Sequence, residues 1–355
     1  MATQLHLQTM PVQLRFYNIF AQMVFIFKSQ KAILIAMLAI LAFIIKGMYI
    51  LEPVALDVKT NNYFGDVLMQ IFANTPLKAQ YVIATFIILL QAMFINWIVK
   101  KFELLEKYSW LPALSFVLLT AALPQTNQLS PQLFANFFIL AAIWKLFTLY
   151  KSEYSNKHIF ELGFICSLAT LIRFELIYLL PLILYALGVL RVPNFREMLL
   201  TLLGFITPIY ILASFLYIFK VQDGAIDLIT RNFYKFNELN WGKYYTWIPL
   251  GLLVIMYLAG AIIMQENIHK SMLKIRKMLR IIIILFPVTI AIAFIDYENL
   301  QNNLIYILAP TSILVANYLL QPRWYWFKEL MITIIIAAEI YLPLMEKYDI
   351  HLLAP

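Results

Sequence analysis

Apolar runs long enough to cross a lipid bilayer recur along this sequence from Ala32 to Glu346, and no segment between them has the length or polarity of a separate soluble domain. A hydrocarbon core of about 30 Å takes roughly 20 helical residues to cross. In lipid each backbone N–H and C=O must find its partner within the span, so such runs are read as α-helices. Composition agrees: 63% hydrophobic and 13% charged residues over 355 positions, with a mean hydropathy of +0.80, is too apolar for a soluble domain. It is also too evenly apolar for a protein anchored by one helix.

Apolar runs and their breakers predict an all-α, polytopic transmembrane bundle of about eleven helices. They lie near residues 32–51, 80–99, 109–123, 131–149, 159–172, 176–190, 198–219, 245–264, 279–295, 303–320 and 330–345. The organisation expected is a cytoplasmic or interfacial segment 1–31, a single transmembrane domain 32–346 and a short outer tail 347–355. Residues 16–27 suit an interfacial helix better than a cleaved signal peptide. The short helices on either side of Arg173 leave a second topology open, one re-entrant hairpin in place of two crossings.

The formal charge of +8 would fit nucleic acid, but in a membrane protein basic residues report sidedness. With the amino terminus inside, most of the 27 basic residues fall in cytoplasmic loops, among them Lys100, Lys101, Lys107, Lys270, Lys274, Arg276 and Lys277. The outer segments carry Asp57, Asp66, Asp223, Asp227, Asp296 and Glu298. The basic total therefore needs no nucleic-acid partner. The carboxyl terminus is expected outside.

Two outer segments, 52–79 and 220–244, are long enough to hold structure. In the first, Phe64, Val67, Leu68, Ile71 and Phe72 recur at helical spacing while Asn62, Asp66, Gln70 and Asn74 fall on the opposite side, which predicts an amphipathic helix on the outer membrane surface. The second carries Phe233, Tyr234, Trp241, Tyr244 and Trp247 among charges, a composition that suits an interfacial belt and also a sugar-stacking platform.

Carboxylates at an aqueous face can take a proton or bind a hard cation. Glu52, Asp57 and Asp66 are the acids so placed, with Asp57 and Asp66 the catalytic candidates. Arg173 and Glu175 stand between two apolar segments, where intramembrane charges must find partners or water. They read either as an ion pair capping a hairpin or as part of a phosphate site with Lys59, Arg231 and Lys235. Lys46 is expected to snorkel outward from the first helix, and Glu339 of the last helix to be paired inside the bundle. Cys166, the single cysteine, excludes an intrachain disulfide and is expected to be buried. The four histidines lack ligand spacing, so no histidine metal site is expected. No phosphate-binding loop, dinucleotide fingerprint or nucleophile elbow occurs.

The order of a first helix, an acid-bearing outer loop with a surface helix, then Gly163-Phe164-Ile165-Cys166-Ser167-Leu168-Ala169-Thr170-Leu171-Ile172-Arg173, Leu179-Leu180-Pro181-Leu182 and finally Asn302-Asn303-Leu304-Ile305-Tyr306-Ile307-Leu308-Ala309-Pro310, resembles the GT-C superfamily of polytopic membrane glycosyltransferases. The resemblance implies a polyprenyl-phosphate sugar donor, chemistry at the outer face of the cytoplasmic (inner) membrane, and Asp57 or Asp66 as base or ligand to a divalent cation. The sequence departs from the pattern in three places. Glu52 and Asp57 replace an adjacent acidic pair, Leu129 to Asn136 offers amides where a second acid is common, and the appended soluble domain of many members is missing.

Two further functions stay open. One is a non-catalytic subunit or scaffold of an envelope assembly, secretion or glycan complex. The other is a lipid flippase or transporter, which ranks last because broken-helix transporters draw on glycine-interrupted spans and this chain has only 9 glycines.

Overall fold

The computed structural model describes residues 26–29, 31–51, 63–121, 123–150, 155–191, 194–218, 247–268, 272–296 and 299–320. Glu52, Asp57, Lys59, the whole 220–244 segment with Arg231 and Lys235, and the predicted last helix with Glu339 lie outside them. Every regular element among the described residues is helical. In chain order these are α1 (Ile33–Leu51), α2 (Tyr63–Phe72), α3 (Leu77–Phe102), α4 (Leu111–Ala121), α5 (Pro131–Thr148), α6 (Ser155–Ile172), α7 (Leu179–Leu190), α8 (Phe195–Ile218), α9 (Trp247–Ile268), α10 (Leu273–Ile295) and α11 (Ile305–Leu320). Tight 3-10 turns at Pro124–Asn127 and Phe174–Tyr178 precede α5 and α7, and a single turn Leu300–Asn303 leads into α11.

The protein is a multi-pass membrane protein. Five helical segments, α3, α5, α8, α10 and Leu300–Leu320, are long and apolar enough to cross a bilayer, and four shorter apolar segments accompany them. Their burial sorts them by position. The Leu300–Leu320 segment is 94% buried and forms the centre, packed by α4, α9 and α10, whereas only 22% of α8 is buried. Leu203, Ile206, Tyr210 and Phe215 of α8 are exposed, an apolar face that suits acyl chains.

Helices in lipid cannot draw on a hydrophobic drive toward one another, so they associate through close packing and small residues. α8 is held to α6 by a reciprocal pair of glycines. Gly163 lies against the backbone at Thr201 and Phe205, and Gly204 against the backbone of Phe160, so closely that a Cβ at either position would overlap a carbonyl. Gly260 of α9 makes a similar approach to Leu314 of α11.

The proline inside α10 is accommodated locally. Pro287 cannot donate to the carbonyl of Ile283, and the Tyr257 hydroxyl of α9 donates to that carbonyl at 2.9 Å while its ring stacks on Phe286. The free carbonyl of a helix kink thus becomes a helix–helix contact.

The segment following Arg173 runs the length of α10. Arg173 pairs with Asp296 at one end of α10, and Lys277 donates to the Leu190 carbonyl at 3.0 Å near the other. Asp296 and Lys277 are separated by about 29 Å of helix at 1.5 Å per residue. Residues 173–190 therefore cover the depth of a helix long enough to span, and do not turn back halfway. Cys166 is buried on α6, as its apolar surroundings predict.

Replacing Gly204 by valine forces the α6–α8 seam apart and is expected to cost about 1–3 kcal/mol, the range of overpacked cores. Gly251→Ala, with no atom within 4 Å of the added carbon, is expected to be neutral. Thermal unfolding of both full-length variants in one detergent checks the contrast.

Candidate functional site

Two chemically opposite ends emerge from the bundle. At one end Lys145 of α5 pairs with Glu161 of α6, which also meets His158 at 3.2 Å. Arg191 pairs with Glu197 at 2.9 Å, and the Lys101 ammonium stands 4.5 Å from the Trp97 ring centre. The other end gathers carboxylates and amides around a buried guanidinium, and it is the candidate site.

Arg173 is 1% exposed and sits at the break between α6 and the 3-10 turn. Its Nε donates to Glu175 Oε1 at 2.6 Å, and its Nη2 donates to Asp296 Oδ2. Asn299 also donates to Asp296 Oδ2, at 2.9 Å. Asn303 reaches the Asp296 carbonyl at 3.4 Å, and Gln132 at the start of α5 reaches Asn303 at 3.4 Å. A buried charge is tolerated only when paired and hydrogen-bonded. This network meets that condition by drawing on α5, the end of α6, the end of α10 and the turn before α11. The buried Tyr306 hydroxyl stands beside the guanidinium.

Lys46 corrects an expectation. It does not snorkel outward but is 1% exposed, and it donates to Asn127 Oδ1 in the turn before α5 at 2.6 Å. Gln125 of the same turn pairs with Gln301, which ties Lys46 and its turn to the segment that carries the Arg173 network. The polar floor extends inward through Asn136, whose Nδ2 donates to Gln91 at 2.9 Å, and Gln91, which donates to the Leu133 carbonyl at 2.6 Å. The positions from Leu129 to Asn136 that offer amides in place of an acid are thus wired into the bundle.

Asp66 lies on α2, and its orientation refines the surface-helix expectation. Phe64, Val67 and Ile71 are exposed. Gly65 packs against the Ile172 carbonyl and the Pro131 ring, at 3.1 and 3.6 Å from where its Cβ would stand, and Phe72 stacks on Phe134. Phe64, Val67 and Ile71 of the apolar stripe are thus turned outward while Phe72 faces the bundle, and the helix rests by its glycine on the corner formed by α5 and α6, one residue from Arg173. Asp66 is half-buried, and its Oδ1 is shielded and has no partner among the described residues. Such an oxygen is costly to leave unsatisfied, and it is the group at this end best placed to take a proton or a cation from an incoming ligand. Among the described residues no three histidine, cysteine or carboxylate side chains converge on one point. A cation at Asp66 would therefore draw its other ligands from outside them.

Of the sequence candidates, Arg173 and Glu175 meet each other, and Asp66 is brought to the same corner. Asp57, Lys59, Arg231 and Lys235 lie outside the described residues. The participants not singled out beforehand as site residues are Asp296, Asn299, Asn303, Gln132 and Tyr306. Their only sequence signal is polarity next to an apolar run.

The chain belongs to a family of unknown function, DUF6427, whose profile matches residues 62–348. That span contains Asp66, the whole Arg173 network and the turn before α5. Neither the curated proteins nor the solved structures contain a match to this chain.

Removing the arginine alone strands two carboxylates. Arg173→Met is expected to cost about 3–5 kcal/mol, as for other buried pairs broken from one side. The triple variant Arg173→Met, Glu175→Gln, Asp296→Asn is expected to recover most of that loss. Detergent unfolding midpoints of the three proteins check the order wild type, triple, single.

Proposed function

We propose that this protein is a GT-C-like transferase of the cytoplasmic (inner) membrane that moves a sugar or related group from a polyprenyl-phosphate carrier at its outer face. Asp66 would act as general base or cation ligand, together with Asp57. The observation that carries the reading is the half-buried Asp66, with one oxygen unpartnered among the described residues, on a helix seated beside the Arg173 network. This arrangement matches what the GT-C resemblance implies, an acid on a surface helix after the first span.

In this reading the bundle has about eleven spans, its lysine-rich end in the cytoplasm, the amino terminus inside and the carboxyl terminus outside, following the bias of basic loops. The carboxylate of Asp66 takes the proton of the acceptor hydroxyl while that oxygen bonds the transferred carbon. The bond from that carbon to the carrier phosphate breaks, and the phosphate leaves as an anion. Cationic side chains near it stabilise the departing charge. Lys59, Arg173, Arg231 and Lys235 are the candidates for that contact.

A second reading, a non-catalytic subunit of an envelope assembly, secretion or glycan complex, is favoured by a different observation. Arg173 is already closed by Glu175 and Asp296, and the start of α5 supplies amides and no acid. Such a member would keep the bundle and its sidedness while its surface contacts other chains.

Asp57→Asn and Asp66→Asn, singly and together, are to be expressed at wild-type level in a strain lacking the gene. Loss of the base is expected to slow transfer by about 10²- to 10⁴-fold, so the double variant should fail to restore the deletion phenotype and should leave the polyprenyl-phosphate-linked donor accumulated in lipid extracts. Full restoration, with an unaltered lipid profile, would sink the transferase reading and favour the subunit.

A further inference from the structure

The lysine-rich end of the bundle contains a cleft that the transferase reading does not use. It has a volume of about 50 Å³ and is lined by Asn96, Lys100, Lys107, Tyr108, Ser109 and Trp110 with Val99 and Leu105. We propose that it binds the headgroup of an anionic phospholipid whose phosphodiester also carries a hydroxyl group.

The cleft is built by the way α3 ends. This helix has 26 residues, about 39 Å at 1.5 Å per residue, so it outruns a hydrocarbon core and carries its last turn to headgroup depth. Glu103 closes it in the left-handed conformation with φ 55°, its N–H turned back to the Lys100 carbonyl. The chain then folds under the helix end. The Tyr108 hydroxyl donates to Glu103 Oε1 at 3.2 Å, and the Trp110 N–H donates to the Phe27 carbonyl at 2.9 Å. The second contact brings in the segment that carries Lys28.

The lining fits a phosphate at a membrane surface. Lys100 and Lys107 face it, and no carboxylate lines it, since Glu103 is turned to Tyr108. Lys101, next to Lys100, is directed elsewhere, over the rings of Trp97 and Trp144. Two polar atoms in the lining are shielded and lack partners among the described residues: Ser109 Oγ and Oδ1 of Asn96, the latter residue 8% exposed. The serine hydroxyl can donate to a phosphate oxygen. The Asn96 oxygen can only accept, so it calls for a donor on the ligand, which a hydroxyl-bearing headgroup supplies. Tyr108 and Trp110 beside the lysines have the amphipathic character of residues at headgroup level. Basic pockets between membrane helices are a recurring form of headgroup recognition.

The test uses the full chain, purified in mild detergent and reconstituted in nanodiscs of phosphatidylglycerol and phosphatidylcholine. Retained lipid is read by native mass spectrometry, and folding by the thermal midpoint. Wild type is expected to retain phosphatidylglycerol over phosphatidylcholine. Lys100→Gln with Lys107→Gln should lower that retention by about 25-fold, two basic groups near an anionic surface contributing roughly fivefold each. Lys157→Gln, at an exposed lysine of the same end, should leave it unchanged. Asn96→Leu should narrow the preference for phosphatidylglycerol over phosphatidic acid, which lacks the glycerol hydroxyls. Equal loss from Lys157→Gln, or no preference for phosphatidylglycerol in wild type, would overturn the proposal. So would displacement by millimolar inorganic phosphate, which would mark a site for a soluble phosphate compound.

Discussion

A guanidinium withdrawn from water inside a membrane protein must be neutralised where it stands, and Arg173 is neutralised by two carboxylates that come from different parts of the chain. Glu175 is local, but Asp296 is 123 residues away. Holding both requires the end of α6, the 3-10 turn before α7 and the end of α10 to meet at one depth. Isolated charges of this kind cost several kcal/mol each, so a bundle that misplaced any of these elements would strand one. Asn299, Asn303 and Gln132 then extend the requirement to the turn before α11 and to the start of α5. The register of this end follows from that single charge.

The rest of the bundle obeys weaker rules. Between the two ends helices need to be apolar and to fit, and the fit comes from glycines where backbones approach and from side chains that receive the carbonyls freed by proline. Gly163 with Gly204, and Tyr257 over Ile283, are the clearest cases. The result is a graded structure with α11 enclosed at the centre and α8 presented at the periphery. The lysine-rich end is built differently again, from ion pairs such as Lys145 with Glu161, exposed lysines and aromatic rings that suit a headgroup layer. An asymmetric molecule of this kind can present different chemistry to the two faces of a membrane.

Much of this architecture was legible in the sequence because helix length and hydropathy are local properties. The helices predicted from 32 to 320 are present as helices, and the break at Arg173 falls where its charges announce it. What was hidden depends on distance along the chain. Asp296 reads as one more loop acid until α10 delivers it to Arg173. Lys46 looks like a snorkelling lysine because its partner, Asn127, lies in a turn with no signal of its own. Asp66 shows the right spacing for an amphipathic helix, but periodicity alone cannot tell which face meets lipid. Gly65 decides it, by letting α2 rest on Ile172 and Pro131. The proposed function rests on resemblance, since the acids and bases involved are ordinary in type and spacing.

Under the proposed function the carboxylate end is where a lipid-borne phosphate arrives. The most direct measurement is photo-crosslinking of the full-length protein in liposomes with a polyprenyl phosphate that carries a diazirine near its phosphate, followed by peptide mapping. Adducts are predicted on α2 or on the peptide around Arg173, and they should be suppressed by excess unlabelled polyprenyl phosphate. Adducts confined to the lysine-rich end, or spread evenly over the lipid-facing surface and insensitive to competitor, would contradict it.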